Sequence, residues 1–126
     1  GQIMSDNPRA TYEQSLLGMG YYVEAISMEP RQDFYYLNLG RSLMTIADYK
    51  RQSGSGDLGQ PKPIASINDL LQTGGGEAAA QFVYDQSALA ALNYAEAVLT
   101  RARELNTLNK DHYANLARLQ NFAIRP

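Results

Sequence analysis

Two places in the sequence carry a side-chain pair suited to holding an anion. Asn38 and Arg41 lie within YYLNLGR, and Asn115 and Arg118 within HYANLAR. Each pair is spaced three apart, which on a helix puts both side chains on one face. Arginine offers a rigid fork of donors that meets a carboxylate with two bonds, and asparagine adds one directional amide. The competing reading is that these groups face solvent or pair within their own unit. Other candidates carry less. His112, the only histidine, stands beside Asp111 and could form an acid–base pair with it. Without a further partner set it reads instead as a polar residue in a first helical turn.

TGGGEAAAQ places three glycines ahead of a helix start, where anions bind. No strand precedes it and no Lys-Ser/Thr follows, so a linker meeting a helix is expected rather than a phosphate loop. Glu77 there would favour the helix dipole and repel a phosphate. Glu77, Asp85, Glu96 and Glu104 are strung along one stretch with no facing partner for paired-carboxylate hydrolysis. No His, Asp or Glu cluster has metal-ligand spacing, and the absence of cysteine removes thiolate sites and disulfides. No catalytic residue, metal or cofactor is therefore expected.

The chain that must position these residues has 126 of them, enough for one domain with a modest core. Its net charge of −2 and its scattered eleven Lys and Arg give no basic field for nucleic acid. No apolar run approaches the ~18–20 residues of a bilayer-spanning helix, so no direct membrane insertion is expected. GQIMSDNPRA lacks the basic and apolar regions of a signal peptide, so any export or anchoring segment is expected outside this stretch.

Apolar spacing predicts four helices and no strand. The first starts after Asp6 or Asn7 as cap, with Pro8 in its first turn. Its face is Tyr12, Leu16, Met19, Val23 and Ile26, and it stops at Glu29 ahead of Pro30. The second runs from Asp33 to about Gln52 on Tyr36, Leu39, Leu43 and Ile46. Residues 53–76 hold six of the ten glycines and two of the five prolines, which predicts a flexible insertion. Within it, Ser66 can cap one short turn that brings Leu70 and Leu71 to the core. A third, long helix is expected from Glu77 to about Asn106, on a seam of Ala88, Leu92, Ala95, Leu99 and Ala102. A fourth starts near Asn109 or Asp111 and carries Tyr113, Leu116 and Leu119.

Nine tyrosines stand beside no tryptophan. Tyr21, Tyr22, Tyr35 and Tyr36 crowd with Phe34 around the turn between the first two helices. About half should pack in helix seams, leaving Tyr35 and Tyr22 as candidates for stacking on a ligand.

The two Asn-Arg motifs belong to a longer match. At a shift of 77 residues Gly18 falls on Ala95, Ala25 on Ala102, Met28 on Leu105 and Tyr36 on Tyr113. Asn38, Leu39, Gly40 and Arg41 then fall on Asn115, Leu116, Ala117 and Arg118. Small residues, a turn and a helix start are preserved together, so the chain holds two copies of one helix-turn-helix unit.

The first copy, GMGYYVEAISMEPRQDFYYLNLGRSL, resembles the junction between tetratricopeptide repeats. Gly18, Ala25, Glu29-Pro30 and Tyr36-Leu37-Asn38-Leu39-Gly40 carry the likeness. The second copy resembles it through Ala95, Ala102, Tyr113, Asn115, Leu116 and Ala117, and departs at Thr107 and Gln120. The family repeats at about 34 residues, so the 77-residue shift requires an expanded unit. The resemblance implies an all-α antiparallel array, with Asn38, Arg41, Asn115 and Arg118 on a concave surface that clamps a ligand carboxylate. It also implies a piece of a longer array whose uncovered end helices, with Leu119 and Phe122, self-associate. ARELNTLNKDHYANLARL is further similar to the soluble tails of bacterial O-antigen ligase-like membrane proteins, which implies tethering to a bacterial membrane through the parent protein. The expected function is a protein- or peptide-binding scaffold without catalysis of its own. The alternatives are an accessory domain of a membrane glycan ligase, contacting an anionic glycan or a protein, and a purely architectural spacer.

Overall fold

A computed structural model describes residues 7–54 and 65–124, with side-chain surroundings through Asn121. The described residues are all-helical and contain no strand. The helices are α1 (Pro8–Met28), α2 (Asp33–Gln52), α3 (Ile67–Leu71), α4 (Gly76–Tyr84), α5 (Ala88–Leu105) and α6 (Lys110–Ile124). None of them is long and apolar enough to cross a membrane.

Local chemistry fixes most boundaries. The Asn7 side chain accepts from the backbone N–H groups of Arg9 and Ala10 at 3.0 and 3.2 Å, with Pro8 opening α1. Ser66 caps α3, and Asp69 reaches back to the Ser66 N–H, a reciprocal pair that holds one turn. Within 53–76, residues 55–64 lie outside the described residues, while α3 is pinned on both sides. Leu70 is fully buried, and the Tyr94 hydroxyl donates to Asp69 at 2.7 Å.

Packing runs α4–α1–α2–α5–α6, with α2 at the centre and α3 touching α1, α4 and α5. The expected seams meet there. Met19, Val23, Ile26, Leu39, Leu43, Ile46, Ala95, Leu99 and Ala102 are all buried in one cluster. Leu119 does not lie uncovered as expected. It is 4% exposed, because α6 turns it into the same cluster. The side chain of Phe122 lies outside the described residues.

The long third helix is in fact two. α4 ends at Tyr84, where the Asp85 N–H bonds back to Gln81 and Phe82. Ser87 then caps α5 by accepting from the Ala90 N–H at 3.1 Å. The buried Lys50 ammonium donates to the Tyr84 carbonyl at 2.7 Å, placing a cation at the negative end of α4. Tyr12, stacked on Tyr49 with centroids 4.3 Å apart, and Tyr84 lay their rings near that ammonium. Burial lowers the Lys50 pKa, which Asp85 partly offsets. The break frees α4 to pack on α1 while α5 packs on α2.

The repeat is visible bond by bond. Glu29 N–H bonds to the Ala25 carbonyl at 2.8 Å, and Asn106 to Ala102 at 3.1 Å. The Tyr36 hydroxyl donates to the Pro30 carbonyl at 2.7 Å, and Tyr113 to Thr107 at 3.0 Å. The departure from proline at Thr107 is therefore tolerated, since any residue supplies that carbonyl.

Two expected outcomes follow. A Cβ on Gly20 would stand 2.6 Å from the Gly76 carbonyl oxygen, whereas one on Gly18 would meet nothing closer than 3.6 Å. In urea titrations Gly20→Ala should destabilise by about 1–3 kcal/mol. Gly18→Ala should be neutral or stabilise by up to ~1 kcal/mol. The second concerns Tyr94. Burial first, and then the Asp69 carboxylate, push its phenol up to about 12. A raised folded pKa favours the protonated form, so this contribution is complete below about pH 10 and lost as pH rises towards 12. Stability measured from pH 9 to 12 should fall more steeply in the parent than in Tyr94→Phe.

Candidate functional site

The repeated motif meets its own helices first. Asn38 donates its amide to the Phe34 carbonyl at 2.9 Å, and Asn115 donates to Asp111 at 2.7 Å. Both are bonds one turn back along the helix, which satisfy the amide N–H without a ligand. Asn115 is moreover buried, so its amide is not part of an open stripe, while Arg41 and Arg118 are exposed on α2 and α6. Tyr22 and Tyr35 are half-buried against the core, each with an edge or tilted contact to its chain neighbour, Tyr21 or Phe34.

His112 is fully buried and meets Asp33, not Asp111, with Nε2 2.6 Å from the Asp33 carboxylate. At the shift of 77 it occupies the position of Tyr35, so the second unit is braced on the start of α2 in the first. Its Nδ1 is buried without a hydrogen-bond partner among the described residues. A substrate cannot reach either ring nitrogen, and the pair is a strut between α6 and α2.

The glycine run also has an internal explanation. Gly75 sits at φ 130°, a backbone region open to glycine, and turns the chain into α4. The Gly76 N–H then donates to the Glu24 carboxylate of α1 at 2.9 Å. The positive end of α4 is thus met by the chain's own anion.

That junction builds a site that the motifs did not announce. A groove of about 740 Å³ lies between α1 and α4, lined on one side by Leu16, Leu17, Tyr21 and Glu24 and on the other by Glu77, Gln81 and Tyr84. Leu17 is 75% exposed, Tyr21 69% and Tyr84 50%. Apolar side chains thus stand in water along one groove. The sequence did hold a signal for it. Leu16-Leu17 and Tyr21-Tyr22 are apolar doublets four or five residues apart, making the apolar face of α1 wider than one seam requires.

Compared with known protein families, characterised proteins and solved structures, the chain matches none.

The strut yields a prediction. Asp33→Ala leaves the buried Nε2 of His112 without its acceptor and should cost about 1–3 kcal/mol in chemical denaturation. Asp33→Asn, which keeps an oxygen at that place, should cost clearly less. Equal losses would assign the contact no directional bond.

Proposed function

We propose that this chain is an interaction module of tetratricopeptide-like helical-repeat type, without catalysis of its own, and that it docks a partner segment in the α1–α4 groove. The observation that carries the reading is the convergence of Leu17, Tyr21 and Tyr84, all half or more exposed, on one concave surface. An apolar groove between two helices is a common receptor for an amphipathic segment of another protein. The shared hydrogen-bond set at the two inter-helix turns supports the repeat assignment. The enclosure of His112 supports the non-catalytic one.

The anion-clamp reading survives in reduced form, through Arg41 and Arg118 alone. One experiment separates the two surfaces. A photo-crosslinking side chain placed at position 21, and separately at position 41, should be activated in the native host. A discrete adduct at 21 with none at 41 is expected. Adducts confined to 41 would move the function to the α2 and α6 surface.

A further inference from the structure

The two copies of the repeat present the same helix face, and α4, which crosses that of α1 at Gly20, leaves Leu17 and Tyr21 exposed. At the shift of 77, Leu16, Leu17, Gly20, Tyr21 and Glu24 of α1 correspond to Asn93, Tyr94, Ala97, Val98 and Arg101 of α5. Tyr94 and Val98 are buried, and Leu17 and Tyr21 are not. On α5, the Tyr94 position is closed by a short piece of the chain itself. α3 bonds it through Asp69, and Phe82 packs edge-on to its ring at 5.7 Å. Ala65 and Ile67, at the entry to α3, border the same face beside Ala97 and Arg101. α3 also touches α1 and α4, and its Leu70 is fully buried.

One charged position differs in sign between the copies, Glu24 against Arg101, while Glu96 and Glu104 also line the α5 face and Glu104 pairs with Arg101 at 3.4 Å. Arg101 lies on the face that receives the aspartate-bearing α3, whereas α1 has Glu24, with Glu77 of α4 lining the same groove. Both carboxylates are exposed. One Glu24 oxygen takes the Gly76 N–H, and the α4 dipole offsets about half a charge. Among the described residues no lysine or arginine lines the groove. Arg9 and Lys50 lie beyond Tyr84, at the far end, beside Glu13 and Asp85.

Resting on the groove as the docking surface, we infer that its occupant is a short helical segment of a partner protein, seated as α3 is seated on α5, with apolar anchors between Leu17, Tyr21 and Tyr84 and a lysine or arginine at the Glu24–Glu77 end. Burial of the anchors drives association. The two carboxylates select the sign of the flanking charge.

The test uses two helix-stabilised peptides on the α3 sequence SINDLLQT, one unchanged and one with lysine in place of its aspartate. Binding is read from backbone amide shifts of the whole chain. The lysine peptide should shift Leu17, Tyr21 and Gln81 and bind about five- to tenfold more tightly at low salt, with the difference shrinking as salt screens it. The double variant Glu24→Gln/Glu77→Gln keeps an acceptor for the Gly76 N–H and should bring the two peptides to equal affinity. Equal affinity for the unaltered chain, with both peptides lost in Tyr21→Glu, would overturn the basic partner and leave the groove standing. If neither peptide shifts groove residues, both readings fall. If groove shifts grow with protein concentration and no peptide, the occupant is a second copy and the partner inference fails.

Discussion

Gly20 of α1 and Gly76 of α4 touch backbone to backbone, and the layout of the chain's second half depends on that contact. A Cβ on Gly76 would lie 2.5 Å from the Gly20 carbonyl oxygen and 2.9 Å from the Glu24 carboxylate. Only with both side chains absent can the start of α4 come close enough for its first N–H to reach Glu24. Once α4 is fixed on α1 it cannot also continue along α2. The helix must break before α5, and it does so where Ser87 caps the new start and Lys50 takes the carbonyl left at Tyr84. The groove is the space that this crossing encloses. In the second copy the counterpart of Gly20 is Ala97.

How legible each part was follows from the range of the interaction behind it. The seams of α1, α2 and α5 could be read because a helical period places every contributor within a few residues of the next. Asn7 and Ser66 act on backbone groups two or three positions away, and Pro8 acts through its own φ, so their roles were open to reading as well. The break between α4 and α5 was not. No glycine or proline marks it, and the group that completes the C-terminus of α4 is Lys50, 34 residues earlier. The His112–Asp33 contact spans 79 positions, and the Glu24–Gly76 cap spans 52. No local pattern encodes such partners, so His112 read as an ordinary polar residue and the three glycines as a plain linker.

The repeated motif raised an expectation of ligand binding, and its side chains turn out to hold the repeat itself. Tyr36 and Tyr113 tie each turn to the helix that follows, while Asn38 and Asn115 bond back one turn along their own helices. A residue repeated because every unit needs it for folding says little about what one unit binds. Arg41 and Arg118 differ from the others in being exposed with no such local task in view.

Residues that differ between copies carry more information about function, because the shared fold does not explain them. Leu17 and Tyr21 would be costly in the second unit's sense of the face, where Tyr94 bonds to α3 and Val98 is enclosed. In the first unit they stay in water, and an exposed leucine and tyrosine side by side gain nothing for folding there. Glu24 also differs from its counterpart Arg101, but there the fold supplies a reason, since the Glu24 carboxylate takes the Gly76 N–H. The first unit thus shares the hydrogen-bonded turn of the second but leaves Leu17 and Tyr21 exposed beside α4. Exposed apolar side chains on an otherwise well-packed scaffold are the ground on which the proposed docking surface of α1 and α4 rests.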